Sequence, residues 1–92
     1  MGKNEKSPNQ ISLTFIVNGT EIEITKVNVH QPLKVSVEKA LAESGNTGRP
    51  LSDWQVKLDD NELDISQKVE SFNFPEGVKI FISLKAGQGG DR

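Results

Sequence analysis

The 92-residue chain predicts an α+β domain in which one helix packs against a mixed sheet of four or five strands. Three features predict it. Two alternating apolar runs meet at Asn18-Gly19, a helical apolar stripe follows Pro32, and a last alternating run, Val78 to Leu84, is apolar enough to be a central strand. The order is strand, strand, helix, strand, short strand, helical turn, strand (ββαββ plus a short helical turn). It lets a single helix cover the inward face of every strand, which an isolated hairpin lacks.

Each element has its own signal. Ile11, Leu13, Phe15 and Val17 alternate with Ser12, Thr14 and Ile16, the period of a half-buried strand. Asn18-Gly19 favours positive φ at both turn positions, and Ile22 and Ile24 then alternate with Glu21, Glu23 and Thr25. The expectation is a hairpin over 11–26, with 27–31 as a connection. Pro32 suits a first helical turn, where its missing N–H has no intrahelical acceptor. Leu33, Val37, Ala40, Leu41 and Ser44 share one helical face, while Lys34, Glu38, Lys39 and Glu43 lie largely off it. Gly45 is a suitable C′ residue, so the helix is expected over about 32–44. Residues 46–53 read as loop.

Trp54, Val56 and Leu58 share one face of a third strand, with Trp54 expected in the core. Asp59-Asp60-Asn61-Glu62 is a polar turn, Leu63 begins a short fourth strand, and Ile65, Val69 and Phe72 suggest a helical turn with Ser66 as N-cap. Phe74-Pro75-Glu76-Gly77 turns into the final strand, with Val78, Ile80, Ile82 and Leu84 inward. The matching rows of the first and last strands predict that the two lie side by side and parallel. Both ends are polar: 1–10 and 85–92 read as flexible tails around a packed domain of 11–84. The tails dilute the hydrophobic content, which is 34 % over the whole chain.

Composition narrows the function. There is no Cys, hence no disulfide, thiolate zinc site or cysteine nucleophile. One histidine, His30, is too few for a His-based metal centre or a triad, and it reads as solvated or capping. The acidic run Asp59, Asp60, Asn61, Glu62 and Asp64 lacks the central glycine and twelve-residue spacing of a calcium loop and reads as a polar turn. A net charge of −2 and pI near 5.3 argue against nucleic-acid binding. No run approaches the ~20 apolar residues of a membrane span. The N-terminus has no signal-peptide core, and Lys6 stands where myristoylation after Gly2 needs Ser or Thr. A cofactor-free binding or carrier module in the cytoplasm is expected rather than an enzyme.

The SLTFIVNGTEIEI hairpin, the helix PLKVSVEKALAESG, the DDNELD turn and the ending KIFISLKAGQGG together resemble the ubiquitin-like β-grasp over about residues 11–90. The final strand running into a tail with Gly89-Gly90 resembles bacterial ubiquitin-like modifiers encoded beside an activating enzyme, a conjugating enzyme and a JAB-type peptidase. That resemblance implies adenylation of a Gly90 carboxylate with ATP, transfer to an enzyme cysteine, and joining to a protein target. Glycine at 89 and 90 permits close approach in a narrow slot. Six residues from Lys85 to Gly90 reach roughly 20 Å when extended. Asp91-Arg92 follows the pair, so a processing cut between Gly90 and Asp91 is expected first. A sulfur carrier with a Gly90 thiocarboxylate, or a non-covalent binding module with an idle tail, fits the same residues, since the fold alone does not assign function.

The outer sheet face supplies a second candidate. Ile16 and Phe81 are apolar where polar residues are expected, with Lys57, Lys79, Thr14, Ser83 and Gln55 around them. Ubiquitin resembles this in recognising partners through an apolar patch on its outer face. Lys57 lies near where that patch is apolar, so ubiquitin's own partners are not implied. Scattered exposed apolar residues are the plain alternative.

Overall fold

The computed structural model describes residues 9–85. The first two runs form antiparallel strands β1, Gln10–Val17, and β2, Thr20–Asn28. Asn18 and Gly19 join them with φ of 50° and 86°, as the Asn-Gly pair requires. A Cβ added at Gly19 meets nothing within 4 Å. Gly19→Ala therefore carries only the left-handed backbone cost, an expected loss of about 1 kcal/mol in urea unfolding followed by the fluorescence of Trp54, the single tryptophan.

β2 runs two residues further than the alternation indicates. Between Ile11 and Leu13 of β1 there is one residue, but between their partners Val27 and Ile24 there are two. This bulge puts Lys26 at φ 56° and returns Val27 to the buried face. β1 also opens one residue ahead of Ile11, with Gln10 opposite Asn28.

The helix α1, Leu33–Glu43, buries Leu33, Val37, Ala40 and Leu41 as expected, and Ser36 as well. Pro32 is its N-cap rather than its first residue, and no side chain caps it. The N–H groups of Leu33 and Lys34 instead donate to the carbonyls of Gln67 and Ile65, each at 2.9 Å, so a distant segment satisfies the orphan donors. At the other end Gly45 has φ 81°, and Asn46 N–H donates to Leu41 O (2.7 Å) and Gly45 N–H to Ala42 O (3.1 Å), the paired bonds of a Schellman stop.

The rest of the chain supplies β3, Trp54–Leu58, the two-residue β4, Asn61–Glu62, and β5, Lys79–Leu84, with 3₁₀ turns at Leu51–Asp53 and Val69–Phe72. β4 precedes Leu63, whose N–H still donates to Val56 O at 2.8 Å. The sheet order is β2-β1-β5-β3-β4, with β1 and β5 parallel at the centre as the sequence predicts. The core gathers Leu13, Phe15, Val17, Leu33, Val37, Val56, Val69, Ile80 and Ile82 between sheet and helix. Trp54 is buried as expected, and among the described residues its indole N–H has no acceptor. Leu84 departs from the inward row: at the strand's end it is 36 % exposed, on the rim of a cleft with Asn18, Pro50 and Trp54.

Ser66 does not cap the 3₁₀ turn, which starts after Lys68. Its hydroxyl donates to the Asp64 carboxylate at 2.6 Å and its N–H at 3.0 Å, with Gln67 Nε2 at 3.5 Å. These bonds, the Ser66 hydroxyl first, hold the Asp64 pKa below 3.8. A depressed folded-state pKa means stabilisation that is complete above the unfolded value and is lost as pH falls through the folded one. Asp64→Ala is therefore expected to lose less stability than wild type as pH falls through and below the ordinary carboxylate range, measured by urea unfolding.

Candidate functional site

The tail residues Gly89, Gly90 and Asp91 lie outside the described residues. The chain leads toward them from a defined position. Lys85 follows β5, and its N–H donates to Asp53 O at 2.9 Å, which ties the base of the tail to the start of β3. A cleft of about 640 Å³ opens beside it, lined by Leu51, Trp54, Val56, Leu63, Ile65 and Lys85, with Glu62 and Asp64 also at its wall.

The outer sheet face brings the other predicted residues together. In the parallel β1–β5 pair, Ile16 is directly opposite Phe81 and Thr14 opposite Lys79. In the antiparallel β3–β5 pair, Lys57 is opposite Phe81 and Gln55 opposite Ser83. Phe81 is 52 % exposed, a large value for a phenylalanine in a central strand, while Ile16 and Lys57 are half-buried and Lys79 is exposed. Strands lie about 4.8 Å apart, so Ile16, Phe81 and Lys57 form one row across three neighbouring strands.

Residues that sequence reasoning did not place on this face complete it. Glu21 pairs with Ile16 and Glu23 with Thr14 on the β2 side, and Glu62 pairs with Lys57 on the β4 side. Alternation alone puts Glu21 and Glu23 on the outer side of their strand. Strand order and register, which set their neighbours, are tertiary facts.

The remaining candidates are structural. His30 Nε2 lies 3.2 Å from Asn9 Oδ1, and Nδ1 3.5 Å from Glu70 Oε1, so the ring sits at the surface between β1, the β2–α1 connection and the second 3₁₀ turn. Asp59 and Asp60, with φ of 53° and 68°, form the tight turn between β3 and β4. Among the described residues no group of three or more His, Asp or Glu side chains is placed to hold a metal ion. No described helix is long and apolar enough to cross a membrane.

Known structures share this architecture. A designed protein based on ubiquitin superposes with a TM-score of 0.71 at 17 % identity, covering 92 % of this chain and all of its own. A structure described as molecular mimicry of SUMO that promotes DNA repair gives 0.70 at 12 %, covering 86 % and 96 %. The ubiquitin of Caldiarchaeum subterraneum gives 0.68 at 15 %, covering 88 % and 99 %. At these identities the likeness shows the fold, a ubiquitin-like β-grasp. In sequence, the chain is 34 % identical over 84 residues to the uncharacterized protein y4jI of Sinorhizobium fredii (strain NBRC 101917 / NGR234). The alignment takes in 90 % of this chain and 64 % of that relative, so the chain spans less than two thirds of the relative's length. Residues 6–90 match the family described as "Protein of Unknown function (DUF2604)". With that match over most of its length, the chain belongs to the DUF2604 family, here built as a ubiquitin-like β-grasp.

Proposed function

We propose that this protein is a ubiquitin-like modifier, processed after Gly90, adenylated at the new carboxylate and joined through it to target proteins. The observation that carries the reading is a β-grasp whose central strand β5 is followed in the sequence by Gly89-Gly90. The family match also ends at Gly90 and leaves out Asp91 and Arg92. The steps are ordinary acyl chemistry. A peptidase of the JAB type or another deconjugating class hydrolyses the Gly90–Asp91 bond. The Gly90 carboxylate attacks the α-phosphorus of ATP and expels pyrophosphate. A cysteine thiol of the activating enzyme attacks the acyl carbon of this adenylate and expels AMP. The acyl group passes by thioester exchange to a cysteine of a conjugating enzyme, and an amine or hydroxyl of the target displaces that thiol. The chain itself is the group transferred, not the catalyst, and dependence on ATP puts the pathway in the cytoplasm.

Mass spectrometry of the protein from its own host tests this. Species ending at Gly90, together with amide or ester adducts on other proteins, are expected. Only full-length 92-residue protein would overturn the reading, and a gain matching oxygen-to-sulfur exchange would point to a sulfur carrier instead.

The outer face is the proposed recognition surface for the enzymes. Phe81→Ala removes an exposed ring and should leave the thermal midpoint nearly unchanged. It should lower the rate of adduct formation about tenfold, a loss of ~1.4 kcal/mol at the docking step. Unaltered adduct formation would remove this face from the proposal.

A further inference from the structure

On the outer sheet face β2 presents Glu21 and Glu23 on one side of the centre, β5 and β3 present Lys79 and Lys57 on the other, and β4 places Glu62 beyond Lys57. Between them lies the apolar pair Ile16 and Phe81. The register makes Glu21, Ile16, Phe81 and Lys57 one continuous row, each a strand apart. At about 4.8 Å per strand, the glutamate and lysine positions stand roughly 14 Å apart, with the midpoint between Ile16 and Phe81. Among the described residues neither Glu21 nor Lys57 is held in an ion pair.

The inner four positions of this row, acidic, apolar, apolar and basic, are complementary to themselves under a two-fold rotation, and Glu62 falls outside their overlap. Consider a second copy placed face to face, with the axis parallel to β1 and β5 and passing between Ile16 and Phe81. The rotation exchanges the two sides of the sheet. Glu21 of each copy then lies over Lys57 of the other, and Ile16 of each over Phe81 of the other. A two-fold axis running across the strands would put glutamate over glutamate, so the charges select one orientation. Aligned sheets cross at about 30°, an offset that long Glu and Lys side chains span.

We propose that this face forms an isologous homodimer, centred on Ile16 and Phe81 and oriented by two Glu21–Lys57 pairs. The occupant of the face in the isolated protein is a second copy of the chain. The apolar centre is small, so the dissociation constant falls on the order of 0.1–1 mM. Dimerisation and enzyme recognition then use the same residues, and a high local concentration of the protein shields its recognition face. The dimer does not depend on conjugation, and its test needs neither enzyme nor processed tail.

The test uses the full chain in sedimentation equilibrium, together with amide chemical shifts from about 50 μM to about 2 mM. Concentration-dependent shifts confined to β1, β5 and the adjacent parts of β2 and β3 are expected. Glu21→Lys and Lys57→Glu should each weaken self-association at least about tenfold, since each puts like charges opposite one another. An equimolar mixture of the two variants should restore association to within a few-fold of wild type, because the heterodimer regains both opposite-charge pairs. Three results would overturn the dimer. One is a monomer at every concentration, which leaves the face to a different protein. Another is association with shifts on a different surface. The third is a mixture no tighter than either variant alone.

Discussion

Gly90→Ala is expected to leave the domain folded and to reduce adduct formation at least about a hundredfold. The packed core of the described residues runs from Leu13 to Ile82 between sheet and helix, and residue 90 is not among the residues the structure describes. The variant's thermal midpoint and the fluorescence of Trp54 should match wild type. The effect falls on the chemistry. The acyl carbon transferred belongs to residue 90, and both activation and transfer need that carbonyl aligned in a narrow slot. A methyl group on the adjacent Cα displaces it, and a misplacement of about 1 Å can cost a hundredfold in rate. The measurement is accumulation of the thioester-linked species on the activating enzyme, using protein already ending at residue 90 so that processing plays no part. Equal accumulation by wild type and variant would mean that the slot does not discriminate at residue 90, and no thioester from either would favour a non-covalent module with an idle tail.

The largest expected effect on stability comes from Phe15→Ala, at about 3–5 kcal/mol. Phe15 is the largest of the fully buried side chains, and it sits on a central strand with β2 on one side and β5 on the other. A domain of this size has a total stability of roughly 4–11 kcal/mol at ~0.05–0.15 kcal/mol per residue, so the variant stands near the edge of folding. The next residue provides the control. Ile16 points to the outer face and is only half-buried, so Ile16→Ala should cost about 1 kcal/mol or less. Urea unfolding followed by Trp54 fluorescence measures both. Equal losses at 15 and 16 would mean that the strand does not have the register described.

Much of the fold is legible residue by residue. Alternation in 11–17 and 20–24 names the hairpin, Asn18-Gly19 its turn, and Gly45 the helix stop, because each rests on local backbone geometry. Errors occur where geometry is not local. The bulge at Thr25-Lys26 breaks the period of two, so Val27 looked like connection although it is buried. Ser66 looked like a cap, but Asp64 takes its hydroxyl. Leu84 keeps the inward parity of β5 and yet meets solvent, because the strand outruns its cover. In the candidate site, Ile16 and Phe81 stood out as apolar residues on a polar face. Glu21 and Glu23 did not, since charged residues on an outward face are unremarkable until their neighbours are known.

The sequence by itself determined the element order, the inward face of each strand, the helix stripe and the glycine-paired ending, all written in spacing of two, of 3.6, or of single turn residues. Tertiary structure alone decided which strands meet. Parallel pairing of β1 with β5 puts Ile16 beside Phe81, although 64 residues separate them in the chain. It also decided what completes the helix start, where residues 65–67 supply the acceptors that no nearby side chain provides. The physical reason is common to both. Hydrogen bonds between distant segments form only when burial of the shared core brings those segments together, so no local pattern encodes them.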